Sequence, residues 1–303
     1  MTIGTGNFAE ELWPGIRDHF QHEYDQWEEL FPQVFYSKTS DKAFEKEQGI
    51  IGLPAAQVKD QGNSTAFVDL LQGDKKEYVN ISYSLGSGIT KELYDDEQYG
   101  IINDIPKFLA RGMRETMEIT HFSQFNNGFT TATSADGLSI FNTSHVMGRT
   151  GSTLSNRGQS GVTYALSQTS LENACIFISD WTDDSDLKIR ATGVKLLVPT
   201  ALQFTAQKIL ETEYEVNTAN NTINPVRGKM IPVVSPYLTD SAAWFIITDV
   251  TTSWGKGFVS QMREAPDLQR DNEFTTRNMN FSTFARWDEG CTDFRGGWGN
   301  PGA

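Results

Sequence analysis

The chain has 303 residues and a formal net charge of −14, from 25 basic and 39 acidic residues. Because phosphate affinity comes chiefly from cationic contacts, this charge disfavours a sequence-specific reader of nucleic acid. Hydrophobic residues at 38% and aromatic residues at 12% indicate a folded protein of one large domain or two to three subdomains. The longest apolar run, residues 242–247, is far shorter than the roughly 20 residues of a membrane-spanning helix.

The first predicted element is an amphipathic helix. Pro14 stands where a first helical turn tolerates proline, and apolar residues then recur at helical spacing. These residues are Ile16, Phe20, Tyr24, Trp27 and Phe31. Such a stripe needs a partner in this chain or in another copy. Residues 38–61 follow without periodicity, and we expect an extended arm there.

Residues 67–90 predict a projecting β-hairpin. Residues 67–71 and 79–85 read as its strands, and residues 72–76 supply turn chemistry. One face of the second strand carries alternating apolar residues, Val79, Ile81, Tyr83 and Leu85. We expect this face to pack on a neighbouring copy.

A long helix is predicted next. Asn103 and Pro106 mark its start, and the helical spacing continues for about 20 residues to Phe125, which corresponds to roughly 30 Å. We call it the spine helix and expect Phe108 and Met113 to face the core. Residues 129–161, rich in Thr, Ser, Gly and Asn, predict loops with short strands.

The second half of the chain predicts a mixed α+β class. Its expected elements are a helix at 166–178, a strand at 194–198 that Pro199 ends, a helix whose stripe is Leu202, Ala206, Ile209 and Leu210, and strands at 230–234, 243–247 and 274–289. The glycine-rich tail, residues 290–303, is expected to be weakly ordered.

Residue patterns that carry chemistry are weak throughout. His19 and His22 have ligand spacing but no marked third ligand, and Asp183, Asp184 and Asp186 resemble a calcium loop that lacks its Gly and terminal Glu. Cys175 lies in an apolar run, which predicts an inert thiol, and Cys291 is too distant in sequence to suggest a disulfide framework. The sequence contains neither a nucleophile elbow nor a phosphate-binding glycine loop.

We therefore predict a protein that is not an enzyme and has no catalytic, cofactor-binding or metal-binding residues. Alanine at His145, Cys175 or Asp184 should alter stability or assembly only. Paired-carboxylate catalysis stays open, because its spacing exists only in three dimensions. Seven tryptophans also leave sugar binding open.

Four segments carry a resemblance to a known family. They are Tyr83–Leu93 (YSLGSGITKEL), Gly137–His145 (GLSIFNTSH), Lys195–Leu202 (KLLVPTAL) and Ile231–Leu238 (IPVVSPYL). In this order, over roughly residues 65–290, the sequence resembles the major capsid (head) proteins of tailed bacteriophages with the Hong Kong ninety-seven type fold, in particular the Mu-like head subunit branch.

The resemblance implies an α+β capsid fold in four parts. Residues 1–60 would be the N-terminal arm, 61–98 the hairpin called the E-loop, 99–161 with 251–303 the peripheral domain, and 162–250 the axial domain. Lys75 or Lys76 at the hairpin tip could serve an isopeptide crosslink like that of some relatives, although an exposed lysine making ion pairs is commoner.

The resemblance also implies function and partners. Many copies would form hexamers and pentamers of an icosahedral head around double-stranded DNA, with portal, separate scaffold and decoration proteins as further partners and without a membrane. The virion would be assembled in the cytoplasm of a bacterial host. An acidic subunit suits this role because it repels packaged phosphate. An encapsulin-like cargo shell and a glycan-active enzyme or binding module stay open as alternatives.

Overall fold

The computed structural model describes residues 20–25, 28–96, 101–158, 165–214, 223–252, 255–273 and 275–302, without the side chains of 94–95, 101–103, 251–252 and 255–256. Its helices, after a helical segment at 20–25, are α1 (Lys91–Asp96), α2 (Ile101–Asn126), α3 (Gln168–Ser179) and α4 (Gln203–Glu211). Its strands are β1 (Tyr36–Thr39), β2 (Phe44–Ile51), β3 (Leu71–Val79), β4 (Ile81–Ile89), β5 (His145–Val146), β6 (Thr153–Leu154), β7 (Gly193–Pro199), β8 (Ile231–Ser235), β9 (Trp244–Thr248), β10 (Thr251–Thr252), β11 (Gly255–Lys256), β12 (Phe258–Asn272), β13 (Met279–Cys291) and β14 (Gly297–Asn300).

The spine helix α2 is confirmed and packs on a four-stranded sheet in the order β1-β12-β13-β4. Its buried stripe includes Leu109, Met113, Met117 and Phe125 at helical spacing. Phe108 lies on the opposite face and is 69% exposed, so the expectation that it faces the core is wrong. The helix also begins before Asn103, which leaves Pro106 inside its second turn.

The second sheet has the order β14-β9-β7-β8, and it confirms the predicted sequence of strand, proline and helix. The first turn after Pro199 is a 3-10 turn, and α4 then buries Ala206, Ile209 and Leu210. The strands β8 and β9 both pair with β7 and not with each other, because β7 runs between them. The predicted helix at 166–178 is confirmed as α3, which Ser167 caps.

The predicted hairpin of residues 67–90 is wrong. The strands β3 and β4 follow each other along the chain, but β3 pairs with β2 and β4 pairs with β13. The supposed turn at 72–76 is part of β3, and residues 38–61, expected to be an irregular arm, contain the second half of β1 and all of β2. Hydrogen bonding to partners distant in sequence overrides the local turn propensity of Gly73 and Asp74.

The expectation of a weakly ordered C-terminal tail is also wrong. Residues 290–300 are buried throughout, and β14 completes the sheet of β7, β8 and β9. Glycine makes this possible because it allows backbones to approach closely: a Cβ at Gly257 would lie within 3.0 Å of the backbone of Gly296. Similarly, a Cβ at Gly299 would collide with the ring of Phe141.

This close approach gives a first prediction. Alanine at Gly257 should lower the free energy of unfolding by about 3 kcal/mol, because backbone atoms on the far side cannot move aside as a flexible side chain can. Alanine at Gly52, where a Cβ meets nothing within 4 Å, should be near neutral. Denaturant unfolding measures both variants, and equal stability of the two would refute the close packing.

Candidate assembly surface

A two-stranded ribbon ends in a long exposed loop. The strands β2 and β3 pair antiparallel from Phe44 opposite Val79 to Ile51 opposite Leu71. Between the strands, residues 52–70 form a connection without helix or strand, and every residue in it is exposed. We call residues 52–70 the tip loop. It carries Val58 at 96% and Phe67 at 94% exposure, so none of the described residues covers these two apolar side chains.

The base of the ribbon is anchored by buried polar contacts. The hydroxyl groups of Tyr78 and Thr292 are hydrogen-bonded at 2.6 Å, and Thr292 Oγ1 donates to Glu47 Oε2 at 2.8 Å. Burial raises the pKa of Tyr78 well above its usual value, so this phenol stays protonated. Glu47 also forms an ion pair with Lys38 of β1. These contacts hold both ribbon strands on the sheet of β1, β12, β13 and β4, and the tip loop lies at the opposite end of the ribbon.

Other apolar side chains are exposed on separate elements. They include Phe108 and Ile119 on α2, Ile176 on α3, Phe204 on α4 and Ile231 on β8. Single exposed apolar residues are ordinary on a soluble protein. They lie on three helices and on the edge strand β8. Several faces of the subunit therefore carry apolar side chains that could contact another protein.

The face of β4 differs from the expectation that it packs on a neighbouring copy. Ile81 and Leu85 are exposed at about half of their surface, but the ring of Tyr83 stacks on Trp287 at 3.9 Å between centroids. Burial raises the pKa of Tyr83 to about 12. Since Trp287 is fully buried in the main core, Tyr83 belongs to the packing of the subunit itself.

The N-terminal segment packs on the spine helix through three residues at helical spacing. Arg114 forms an ion pair with Glu29, and Glu118 accepts hydrogen bonds from the backbone amides of Leu30 (2.7 Å) and Phe31 (3.2 Å). One turn further, the ring of His121 stacks on Phe31 with centroids 4.1 Å apart. Phe20 is buried in the same subunit, whereas Ile16 and Trp27 of the predicted stripe lie outside the described residues.

The environment of His121 favours the neutral ring. Its Nδ1 donates to the carbonyl of Met117 at 2.6 Å, so Nε2 accepts from the hydroxyl of Ser260 at 2.8 Å. Burial lowers the pKa of His121 to about 4. Burial acts in the opposite direction on Glu118, whose pKa is raised above its usual value.

His121 gives a second prediction, on pH dependence. The unfolded state takes up a proton near pH 6.5 and the folded state only near pH 4, so stability is lost as the pH falls between these values. From pH 7 to pH 5, wild type should lose about 2 kcal/mol more unfolding free energy than His121→Gln. Glu118 titrates in both proteins and cancels in the difference. Equal losses, measured by denaturant unfolding, would contradict the assignment.

His145, Asp184 and Cys175, for which only structural effects were expected, are held in packed positions, and the absence of a catalytic role stays a prediction. His145 is fully buried, stacks on Phe294 at 3.8 Å and hydrogen-bonds with Asp136 and Asn156. Asp184 forms an ion pair with the buried Arg295 at 3.0 Å. Burial raises the pKa of the half-buried Cys175 thiol, which makes its thiolate scarce.

The other candidate residues do not converge on a metal site. Asp183 closes its own turn, where Oδ1 accepts from the backbone amides of Ser185 and Leu187. His19 lies outside the described residues, so the pair with His22 remains untested. Among the residues that the structure describes, no group of three His, Cys, Asp or Glu side chains is arranged to hold a metal ion.

The two lysines considered for crosslinking do not lie at a tip. Lys75 and Lys76 are within β3, and Lys76 Nζ donates to the carbonyl of Thr133 at 2.6 Å. The tip was expected here because local sequence patterns do not mark β2. In the structure Lys46 of β2 forms an ion pair with Glu77 of β3 across the ribbon. None of the helices in the described ranges has the length and hydropathy that a membrane crossing requires.

Comparisons with known proteins agree with this architecture. The model of the family described as phage capsid protein matches residues 76–300. No curated protein matches the sequence. A solved capsid of bacteriophage JBD30, decorated with minor capsid protein trimers, has a TM-score of 0.58 at 13% identity and covers 70% of this chain and 92% of that chain. The capsid of a native GTA particle has a TM-score of 0.58 at 10% identity, with coverage of 89% and 88%.

A virus-like particle from Pyrococcus furiosus is similar as well, with a TM-score of 0.54 at 8% identity and coverage of 95% and 98%. At these identities, similarity to the solved structures establishes the fold alone. The fold is the α+β capsid fold of the Hong Kong ninety-seven type. Because the family model covers most of the sequence, the chain belongs to the phage capsid protein family, and it is a structural component of the capsid shell of the virion.

Proposed function

We propose that this chain is the major subunit of an icosahedral phage head that encloses double-stranded DNA. Many copies would assemble as hexamers and pentamers in the cytoplasm of a bacterial host. The observation that carries the proposal is the exposed tip loop at the end of an anchored ribbon. Its apolar side chains Val58 and Phe67 are not covered by any part of the chain that the structure describes. Burial against a second copy would remove this surface from water.

The proposed division of the chain follows the family resemblance in outline. We keep an N-terminal arm, an E-loop, a peripheral domain with the spine helix and an axial domain as the four parts, but not the expected E-loop bounds. The expected bounds were 1–60, 61–98, 99–161 with 251–303, and 162–250. The strand pairing supports an E-loop formed by residues 44–79, and β14 joins the sheet otherwise formed by the axial segment. The Mu-like branch remains a prediction.

The proposed role does not involve catalysis, a cofactor or a bound metal. The chain would act through protein contacts with copies of itself and with portal, scaffold and decoration proteins. Its charge of −14 supports proximity to packaged DNA without tight binding, since subunit and phosphate repel each other. Buried or self-paired positions for His145, Asp184 and Arg295 support structural roles for these groups.

A cargo shell, which the sequence also left open, is the second candidate, and the chain is similar in fold to a virus-like particle over 95% of its length. The content of purified particles distinguishes the two candidates: nuclease-protected DNA supports a phage head, whereas an enclosed protein supports a cargo shell. Sedimentation velocity tests the shared claim of self-assembly. A persistent monomer of 33.9 kDa at all salt and crowding conditions, with scaffold supplied, would refute both.

A further inference from the structure

Both ends of the tip loop are held at one place on the body of the subunit. Arg149 Nε donates to the carbonyl of Gly52 at 3.2 Å, and its Nη2 donates to the carbonyl of Asp69 at 2.7 Å. The hydroxyl of Ser185 donates to the same Gly52 carbonyl at 2.7 Å. One guanidinium and one hydroxyl therefore bind the chain where it leaves the ribbon and where it returns.

The residues that bind the tip loop are themselves fixed to the core. Arg295, with 2% of its side chain exposed, donates to Asp184 Oδ1 at 3.0 Å and to the carbonyl of Thr182 at 3.1 Å. The backbone amide of Arg149 donates to the carbonyl of Asp184 at 3.2 Å. The acidic turn of residues 183–186 thus connects a buried arginine with the loop that carries Arg149. The residues that contact the tip loop are therefore held by hydrogen bonds to the buried Arg295 and its neighbours.

A neighbouring carboxyl group opposes this attachment. Asp74 lies in β3 and lines a small cavity together with Asp136, Asp184 and Arg295. Burial raises the pKa of Asp74, and the charges of Asp136 and Asp184 raise it further, while Arg295 lowers it. The ribbon is consequently drawn to the body by Arg149 and Ser185 and repelled from it by carboxylates.

We propose that Arg149 and Ser185 form a latch that sets the direction in which the tip loop leaves the subunit. Resting on the proposed function, the latch would also set the angle at which this loop meets a second copy, and hence the curvature of the shell. Neutral side chains in place of Arg149 would free the loop. Removal of the charge at Asp74 would hold it more tightly.

Distances between spin labels in the single subunit test the latch without depending on assembly. Spin labels are attached at Val58→Cys in the tip loop and Ile119→Cys on the spine helix, because both positions are exposed. The half-buried Cys175 is replaced by serine so that it does not take up label. Labelled protein is diluted into excess unlabelled protein so that only distances within one subunit are measured. Wild type should give one narrow distance distribution.

The arginine and serine variants should broaden this distribution, whereas the Asp74 variant should not. Arg149→Ala should broaden it at least twofold, Ser185→Ala should broaden it less, and Asp74→Asn should leave it as narrow as wild type or narrower. Melting temperatures within a few degrees of wild type separate loss of the latch from loss of the fold. If Arg149→Ala fails to fold, Arg149→Lys, which keeps the charge but lacks the forked donors, takes its place. An unchanged distribution in the arginine and serine variants would overturn the latch.

Electron microscopy of the same variants separates the latch from the proposed function. Particles of irregular diameter or open curved sheets from Arg149→Ala, beside uniform wild-type particles, are expected. Uniform Arg149→Ala particles would refute the role in curvature. A broadened distance distribution in a protein that forms no particles in any variant would support the latch and refute the shell.

Discussion

Replacing Phe125 by alanine is expected to lower the free energy of unfolding by about 3–5 kcal/mol. Phe125 is fully buried on the spine helix, with ring centroids 4.7 Å from Phe258 and 5.2 Å from Phe245. These partners come from β12 and β9, so one ring joins the helix to strands of both sheets. The alanine variant leaves a cavity between the helix and the two sheets. Phe258 and Phe245 lie on different strands, so they cannot both move in to fill it. Chemical denaturation of the full-length subunit, followed by circular dichroism, measures the loss.

Phe108 supplies the matched control on the same helix. It is 69% exposed, so alanine at this position should change the unfolding free energy by less than about 0.5 kcal/mol. The same replacement of phenylalanine by alanine should therefore cause a large loss of unfolding free energy on one face of the helix and almost none on the other. Comparable losses from the two variants would mean that the spine helix is rotated about its axis relative to the structure described here.

Serine at both Val58 and Phe67 is expected to abolish or strongly reduce particle formation without destabilising the subunit. Both side chains are almost fully exposed in the free subunit, so they contribute little to its folding. Burial of each against a neighbour would contribute about 1.5–3 kcal/mol per contact, and the loss would recur at every contact of a shell. Sedimentation measures assembly, and thermal melting measures the fold.

Gln57 and Gln61, exposed polar residues of the same tip loop, provide the control for this double variant. Serine at both glutamines should leave assembly and melting unchanged. Normal assembly of the Val58 and Phe67 variant would remove the tip loop from the subunit contacts. A large drop in melting temperature would instead show that these two side chains pack in their own subunit.

The sequence predicts elements whose signal is local. The spine helix, the helix α3 and the strand at β7 with its following helix all have a continuous period of their own, and each is confirmed close to the expected residues. Which face of the spine helix is buried could not be predicted fully from the sequence. Phe108 is as apolar as Met113, and only contacts with distant strands decide which of the two is buried. Amphipathic spacing alone does not resolve this when both faces carry apolar residues.

The ribbon and the C-terminal tail depend on partners far away in sequence. Residues 71–79 carry turn-forming glycine and aspartate, and only pairing with β2 makes them a strand. Similarly, residues 290–303 resemble a flexible tail by composition, but the absence of a Cβ lets Gly296 and Gly299 approach Gly257 and Phe141 in a buried position. Pairing between strands distant in sequence, and close contact between backbone segments at glycine, produce no periodic pattern of apolar residues in the sequence.

The sequence indicated an exposed apolar segment for contacts between copies, but not the residues that form it. An apolar projecting segment that serves contacts between copies was expected at β4, where Tyr83 instead stacks on Trp287. The sequence predicted an extended arm to residue 61 and a strand at 67–71, and the structure has instead a connection at 52–70 without helix or strand. Its exposure follows from the pairing of β2 with β3. The latch residues Arg149 and Ser185 were missed for a similar reason, since their acceptors are backbone carbonyls, which every sequence contains.

Electron micrographs of the protein expressed alone and together with a scaffold protein test whether this chain is the building block of a capsid shell. We predict closed particles, or capsomers and curved sheets, in which the spine helix and projecting ribbon fit the density of each subunit. Micrographs and particle sizing that show only dispersed single subunits under both conditions would contradict the account.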